Sequence, residues 1–488
     1  MYYNDRSQRG CVFSYDSKLQ MQYINSSKKV FLVKKRSQSM LQGPLLPSII
    51  SYTIPIILTG ILQLLFNAAD LVIVGRFCGS VSVAAVGATG SVTNLIVNLF
   101  VGMSVGAGVT VAHAYGGRQW DAVHKTVHTA LLAALVSGAF LTVVGISFSE
   151  PLLTMMGTPE NVLPLSAVYI KIYFMGIVFT MVYNFCAAIL RAVGDTRSPL
   201  IFLSLAGVIN VGLNVVFVTV LHMNVAGVAL ATVISQAISA ILVVIALMRR
   251  KDACKLSLHK LRFYKVQLTK ILRIGLPAGI QSSIFSFSNV MIQSSVNSFG
   301  DAFMSGNAAA GNLEGFVYIA LNAFSQTAVN FIGQNVGAGQ LHRVKKILAI
   351  CLACVFVTGV TLGGLTYAFG EELLSIYITD SPEAIASGVI RLAFLCLPYF
   401  FCGMMEIATG ALRGMGAAVA PMVMTVLGVC GVRITWLLTV FRIPRFHTPQ
   451  CLFLSYPLTW AVTFAIEMAA FVRIYRRHLG IRPQGSQK

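Results

Sequence analysis

Long apolar segments separated by short polar breaks make up this chain from Leu45 onward. A typical segment is Pro55–Arg76, PIILTGILQLLFNAADLVIVGR, in which Asp70 is the only charge before Arg76. A helix needs about 20 apolar residues to cross the hydrocarbon core of a bilayer. Twelve segments meet that length, and we predict a transmembrane helix for each. The predicted spans are 47–74, 82–115, 122–148, 162–192, 197–220, 224–249, 270–298, 304–337, 344–369, 384–414, 418–441 and 452–475.

The composition agrees with a polytopic membrane protein. The chain has 488 residues, of which 56% are hydrophobic and 11% are charged, and its mean hydropathy is +0.77. A soluble domain carries about 25% charged residues. We therefore predict an all-α membrane protein of two six-helix lobes, residues 45–250 and 269–478. A cytoplasmic linker (251–268), a basic and disordered N-terminal tail (1–44) and a C-terminal tail (479–488) complete the predicted organisation.

The basic residues are distributed unevenly between the two ends of the predicted helices. Of the 36 Lys and Arg residues, 30 fall in the segments on the N-terminal side of the membrane. The opposite loops hold only Arg76, Arg442 and Arg445. Because Lys and Arg accumulate in cytoplasmic loops, both termini are predicted to be cytoplasmic in a multi-pass plasma-membrane protein. The same distribution explains the net charge of +20 without a nucleic-acid partner.

The two halves of the chain repeat at one fixed offset, the separation between Pro55 and Pro277. Gly117 matches Gly339 at the same separation. The sequence LRAVGDTRSP at 190–199 likewise matches LRGMGAAVAP at 412–421. Because each half holds an even number of spans, both halves enter the membrane from the same side. The lobes are then related by a pseudo-two-fold axis along the membrane normal, an arrangement typical of alternating-access carriers.

The first span contains the most informative polar residues. A carboxylate at the centre of a membrane helix costs roughly 2.5–3.5 kcal/mol on insertion scales, so Asp70 is expected to have a function. Thr59, Gln63, Asn67 and Asp70 recur at spacings of four, four and three, which places them on one helix face. We predict that this face lines a cavity. Pro55 removes one helical hydrogen bond and is the predicted hinge.

A cation- or proton-coupling site is predicted around Asp70. Asn210 and Asn214 lie one turn apart in the fifth span, at a depth similar to that of Asp70, and Thr232 lies two turns into the sixth. One carboxylate with amide and hydroxyl oxygens can hold Na⁺ or a proton. The alternative is that these amides only join helices, which is worth about 0.6 kcal/mol for each pair.

The C-terminal half contains acids and bases of its own. Glu406 matches Asn184 at the offset of the internal repeat and is the second candidate coupling acid. Glu314 and Arg433 have comparable predicted depths, so they are expected to form an ion pair and are cavity candidates together with Gln63 and Asn67. Lys171 and Arg391 are expected to snorkel to the surface, and Glu467 is left unassigned.

The LRxxG repeat, combined with the first-span pattern P…NAADLVIVGRF, resembles the multidrug and toxic compound extrusion (MATE) family over residues 45–478. The resemblance implies twelve helices in two lobes and export of organic, often cationic compounds driven by inward Na⁺ or H⁺. Asp70, Asn184 and Asn210 match functional positions of one bacterial branch of the family. Asn214 stands where that branch usually has a second carboxylate, which argues against a two-carboxylate site here.

The predicted function is therefore secondary active antiport that exports small amphipathic or cationic compounds. The alternative is a flippase for a lipid-linked precursor, which should have several basic residues in its cavity. An enzyme is disfavoured because no catalytic His/Asp/Glu cluster is visible, and ATP is disfavoured because no P-loop is present. We expect a prokaryotic monomer in contact with membrane lipid, with no cofactor or metal beyond the coupling H⁺ or Na⁺.

Overall fold

The structure is a computed structural model that describes residues 40–378 and 381–480. Helices make up nearly all of this part of the chain. Most of the two predicted tails, residues 1–39 and 481–488, lies outside this range. In the N-terminal lobe the helices are α1 Leu45–Cys78, α2 Ser80–Gly116, α3 Trp120–Met155, α4 Leu163–Met175, α5 Ile177–Ala192, α6 Arg197–Val215 and α7 Asn224–Met248. A π-helical segment, Val216–Val220, extends α6.

A short 3₁₀ turn at Leu258–Lys260 lies in the linker before the second lobe. The helices of the C-terminal lobe are α8 Lys265–Asn297, α9 Asp301–Gly337, α10 Leu341–Ala368, α11 Gly370–Ser375, α12 Pro382–Leu395, α13 Tyr399–Gly414, α14 Val419–Thr425, α15 Val432–Leu438 and α16 Pro449–His478. The π-helical segment Val426–Gly431 joins α14 to α15. Two further 3₁₀ turns, Val440–Arg442 and Pro444–Phe446, precede α16.

Twelve long helical segments of the described chain occupy the positions of the twelve predicted spans. By length and composition, eight described helices are able to cross a membrane, and ten do so if each bent pair is one span. Helices α8 and α9, with 33 and 37 residues, are also long enough but have more polar sequences. Their polarity follows from their place in the fold, because both helices pack at the interface between the lobes rather than facing lipid alone.

The fourth and tenth predicted spans are broken rather than continuous. Helices α4 and α5 meet at Gly176 with a bend of 48°, and α12 and α13 meet with a bend of 46°. At the first bend the absent Cβ of Gly176 leaves room for Val233, whose methyl carbon would lie 2.4 Å from a Cβ there. At the second bend Pro398 precedes α13 and has no N–H to donate, a common cause of helix kinks.

The internal repeat is visible in the helix boundaries. Helices α5 and α13 have equal length and begin at Ile177 and Tyr399, which match at the offset of the repeat. Helices α2 and α9 also have equal length, but their boundaries fall one position short of that offset. The turn after α2 places Arg118 at φ 53°, and the turn after α9 places Gly339 at φ 69°. Gly339 is therefore structurally equivalent to Arg118, not to Gly117 as the sequence match suggested.

The two lobes pack closely on the side where α1 begins and α5 ends, which we call the basic side. Glycines make this approach possible, because a Cβ on Gly116 would lie 2.0 Å from the Gln334 carbonyl oxygen and one on Gly337 would lie 2.1 Å from the His113 carbonyl oxygen. His113 Nε2 lies 2.7 Å from the Gly414 carbonyl oxygen across the same interface. The basic side is therefore sealed in this conformation.

Candidate functional site

Asp70 lies on α1 and is buried against α6, with 8% of its surface exposed. The Asn214 side-chain amide donates to Asp70 Oδ1 at 2.5 Å and also faces Asn210 Oδ1 at 3.3 Å. The Asn210 amide in turn lies 3.5 Å from Thr232 Oγ1 on α7. Four of the five residues predicted for the coupling site thus form one polar cluster inside the N-terminal lobe, which we call the Asp70 cluster.

The helices explain why these residues meet. Asn210 and Asn214 are four residues apart on α6, so both face the same direction. Gly207, one turn earlier, brings α6 against α1, because a Cβ there would overlap the ring of Phe66 at 1.8 Å. This close contact places the amides beside Asp70, one turn further along α1.

The side-chain oxygens of the Asp70 cluster are suited to bind a small cation or a proton. Asn214 is fully buried, and its Oδ1 has no hydrogen-bond partner among the described residues. A buried carbonyl oxygen without a donor costs about 1–3 kcal/mol, and a bound cation would remove this cost. Carboxylate, amide and hydroxyl oxygens are the ligands that hard cations prefer, and a proton on Asp70 would remove the buried charge instead.

Asn184, the fifth residue predicted for the coupling site, lies elsewhere. It lines a central cavity of about 370 Å³ between the lobes, and so does Glu406, the second candidate acid. The Asn184 amide donates to the Thr180 carbonyl of its own helix at 2.9 Å. Asn184 and Glu406, which match across the repeat, therefore lie in the walls of one cavity and not in the Asp70 cluster.

The predicted polar face of α1 divides between two environments. Thr59 and Gln63 line the central cavity, as expected. Asn67 is exposed and is not among the residues lining that cavity, and Asp70 is covered by α6. Helix α1 runs unbroken through Pro55, so a hinge at this residue stays a prediction.

The ion pair expected between Glu314 and Arg433 is wrong. Glu314 instead accepts from Arg391 Nη2 at 2.6 Å and from Tyr399 at 2.9 Å. Arg391 consequently lies inside the C-terminal lobe, with only 14% of its side chain exposed, and does not snorkel. Depth along the sequence suggested the Arg433 pairing, but α9 packs beside α12, which carries Arg391. Lys171 does reach a partly exposed position, where it pairs with Glu150 at 2.7 Å.

Arg433 is fully buried among aromatic rings. Its guanidinium carbon lies 4.0 Å from the centroid of Tyr456 and 5.7 Å from that of Trp460, and Nε donates to Thr459 at 3.1 Å. Cation–π contacts of this kind are worth about 2 kcal/mol when desolvated. Tyr456 and Trp460 also line a second cavity of about 360 Å³ together with Glu314 and Arg391, so Arg433 lies behind the wall of that cavity.

Glu467, unassigned from the sequence, is fully buried on α16. Its Oε1 accepts from Thr409 at 2.8 Å and from Thr425 at 3.0 Å. Thr425 also accepts from the Gln281 amide at 2.9 Å, and Gln281 Oε1 accepts from Arg413 Nη2 at 2.8 Å. A chain of hydrogen bonds thus links this carboxylate to an arginine in the central cavity.

Arg191 and Arg413 were missed as cavity residues. The LRxxG motif identified both arginines as part of the internal repeat without indicating a role in the cavity, yet both line the central cavity. Helical periodicity could have identified both arginines as cavity residues. Arg191 follows Asn184 by seven residues and Arg413 follows Glu406 by seven, so each arginine lies two turns along the same helix face.

The MatE family model matches the chain twice, at residues 55–216 and 277–437. A probable multidrug resistance protein of Bacillus subtilis, YpnP, is 28% identical over 79% of this chain and 86% of its own length. An FAD transporter of Shewanella oneidensis is 26% identical over 71% of this chain and 77% of its own.

Solved structures share the fold. An outward-facing multidrug resistance MATE transporter superposes with a TM-score of 0.85 at 18% identity, covering 91% of this chain and 99% of the other. A Pyrococcus furiosus transporter described as having a binding pocket of reverse polarity gives a TM-score of 0.84, also at 18% identity, covering 91% of this chain and 98% of the other.

Proposed function

The chain belongs to the multidrug and toxic compound extrusion family, and from that premise we propose that it is an antiporter that exports small amphipathic compounds and takes its energy from inward movement of H⁺ or Na⁺. The observation that supports this most strongly is the Asp70 cluster. It combines a buried carboxylate with an amide donor at 2.5 Å and an amide oxygen without a partner among the described residues. Binding of a cation or proton stabilises such a site.

The proposed coupling acts through the charge of Asp70. When the cation or proton is absent, the buried carboxylate depends on Asn214 for stabilisation. Occupancy neutralises the carboxylate and changes which packing of α1 against α6 is favoured. A ligand shifts a two-state equilibrium only by its difference in affinity for the two states, and a buried charge makes this difference large. Pro55 is the proposed hinge in α1.

The sealed basic side fits this cycle. In the conformation described, the cavity lies between the lobes, and the close contacts at Gly116 and Gly337 separate it from the basic side. We assign the basic side to the cytoplasm from the charge distribution. Cargo can enter from this side only in a second conformation, in which these contacts open. Rocking of the two lobes about the central cavity would provide it.

The direct test uses inverted membrane vesicles that contain the protein and a fluorescent amphipathic dye outside. An H⁺ gradient and a Na⁺ gradient are imposed separately, each directed out of the vesicle, which corresponds to inward movement in the cell. At least one gradient should drive dye accumulation above the level of vesicles without the protein, and that gradient identifies the coupling ion. If neither gradient drives accumulation while ATP does, the proposal is wrong.

A flippase for a lipid-linked precursor is the second candidate. It requires basic residues in the cavity, and the structure places Arg191 and Arg413 in the cavity wall. The same vesicle preparation, with a fluorescent lipid phosphate in place of the dye, distinguishes this function from export of soluble compounds.

A further inference from the structure

Two arginines stand at the basic end of the central cavity. Arg191 and Arg413 occupy equivalent places of the internal repeat, in the last turns of α5 and α13, and both line the cavity. Arg191 Nη1 donates to Gln326 Oε1 at 2.5 Å, and Arg413 Nη2 donates to Gln281 Oε1 at 2.8 Å. Each guanidinium is therefore held by a neutral amide rather than by a carboxylate.

No described carboxylate is in direct contact with either arginine. In the part of the chain that the structure describes, no Asp or Glu oxygen lies within 4.0 Å of either guanidinium. Arg413 Nε is buried and has no hydrogen-bond partner among the described residues. Glu406, two turns from Arg413 on α13, is the one acidic residue among the described residues that line the cavity. With Arg191 and Arg413 charged and Glu406 ionised, the lining has a formal charge of +1.

The remaining wall is amphipathic. It presents amides such as Asn184 and Asn322 beside the apolar side chains of Ile319 and Val329, and the rings of Tyr183 and Tyr318. A guanidinium keeps its charge at all physiological pH values and presents parallel N–H groups that match the oxygens of a carboxylate or phosphate. The cavity volume of about 370 Å³ lies in the range of small-molecule sites.

We propose that the central cavity recognises amphipathic compounds by an anionic group, a carboxylate or phosphate, held at its basic end by Arg191 and Arg413. The apolar part of the compound then lies against Ile319 and Val329. This inference names the cargo class of the exporter proposed above and rests on that function. It replaces the cationic cargo expected from the sequence with an anionic one, and the anionic group can belong to a soluble compound or to a lipid phosphate.

A purely structural role for the arginines has a different signature. Arg191 reaches Gln326 on α9, so it also connects the two lobes. If the arginines only seal or stabilise the basic side, their loss should weaken handling of every cargo equally. If they recognise an anion, their loss should change the ratio between an anionic and a cationic cargo of the same size and shape.

The test measures binding of two xanthene dyes to the purified full-length protein in detergent by fluorescence polarisation. Carboxyfluorescein supplies the anion, and rhodamine 6G supplies a cation of similar ring structure. The variants are Arg413→Gln and Arg191→Gln, and Arg473→Gln, an exposed arginine of α16 near the same side, is the matched control. Loss of one charge-assisted hydrogen-bonding partner should weaken carboxyfluorescein binding about tenfold. Rhodamine 6G binding should stay the same or improve, and the control should change neither.

Glu406→Gln provides a change of opposite sign. It removes the negative charge of the wall, so the ratio of carboxyfluorescein affinity to rhodamine 6G affinity should rise severalfold. Equal losses for both dyes in the arginine variants would overturn the inference, as would wild-type protein that binds rhodamine 6G but neither carboxyfluorescein nor a short-chain fluorescent phosphatidic acid. Because this measurement needs no ion gradient, its failure is distinct from failure of gradient-driven transport.

A second arm separates the two sources of the anionic group. Proteoliposomes receive either carboxyfluorescein or a short-chain fluorescent phosphatidic acid, whose movement between leaflets is followed by dithionite quenching. Arginine-dependent movement of carboxyfluorescein assigns a soluble anion, and arginine-dependent flipping of the lipid assigns a lipid phosphate. If the arginine variants move both probes as the wild-type protein does, the inference is wrong.

Discussion

The two lobes share one helical arrangement but place different chemistry at equivalent positions. In the N-terminal lobe Asp70 is surrounded by the neutral side chains of Asn214 and Asn210. The equivalent position of the C-terminal lobe is Ile292, which lines a cavity with Glu314 and Arg391. A carboxylate among neutral amides can change its charge when a cation or proton binds, whereas a carboxylate paired with a guanidinium is already neutralised.

This difference separates a site able to couple to an ion from one that stabilises a lobe. The Glu314–Arg391 pair is joined by Tyr399 and Asn307, so each of its charges has several partners. Asp70 has no basic partner within 4.0 Å in the part of the chain that the structure describes. The duplication therefore kept the helices in both lobes while the chemistry of the two sites diverged.

The largest expected effect is that of Asp70→Asn. Asparagine has nearly the same shape but cannot change charge, so energy-dependent dye efflux from cells should fall to the level of cells without the protein. Membrane content, measured on immunoblots, should stay unchanged. Ile292→Asn is the matched change in the other lobe, and efflux per molecule of inserted protein should persist there. Normal efflux by Asp70→Asn would show that the two lobes do not differ in this way.

Arg391→Leu should act on stability. The substitution leaves Glu314 partly buried without its cationic partner, and removal of one member of a buried pair costs about 3 kcal/mol. Thermal unfolding of the purified protein should occur at a clearly lower temperature than for the wild type. Arg391→Leu combined with Glu314→Gln should recover part of the loss, because the unpaired charge is then gone. An unchanged unfolding temperature in the single variant would show that this pair does not stabilise the lobe.

Asn214→Leu should change the response to the coupling ion. It removes the amide that donates to Asp70 and the buried Oδ1, while keeping a side chain of similar size. The concentration of coupling ion needed for half-maximal transport should change by about tenfold, as for other residues that support an ion site. Asn98→Leu alters an amide in the wall of the central cavity, where Asn98 donates to Ser286 on α8, and it should leave this concentration unchanged.

Thr232→Val should produce the smallest effect. Valine keeps the shape of threonine but removes the hydroxyl that faces the Asn210 amide at 3.5 Å. A single neutral hydrogen bond contributes about 1 kcal/mol, so the ion dependence should shift by about threefold to fivefold. A shift as large as that of Asn214→Leu would mean that Thr232 contacts the ion directly.

The fold was largely predictable because membrane spans are long and their hydropathy is strong. All twelve segments, the internal repeat and the alignment of Asn210 and Asn214 on one helix face followed from local sequence. The breaks at Gly176 and Pro398 did not, because apolar composition continues through both bends and the bends depend on neighbours such as Val233.

The sites were less predictable because depth along a helix does not say which helix stands beside it. Depth alone paired Glu314 with Arg433, whereas the lateral packing of α9 against α12 gives it Arg391. The family resemblance, rather than depth, grouped Asn184 with Asp70, whereas Asn184 faces the space between the lobes. Depth placed Asp70 beside Asn214 correctly but chose the wrong basic partner for Glu314.

Transport by Asp70→Asn in proteoliposomes tests the role of Asp70 most directly. Two reactions are compared in one preparation: dye accumulation driven by an ion gradient, and exchange of labelled for unlabelled dye at equal concentration without a gradient. A residue that couples the ion to transport is needed for the first reaction and not for the second. Asp70→Asn is expected to lose accumulation and to retain exchange. Retained accumulation, or loss of both reactions by a protein that still binds dye, would contradict this expectation.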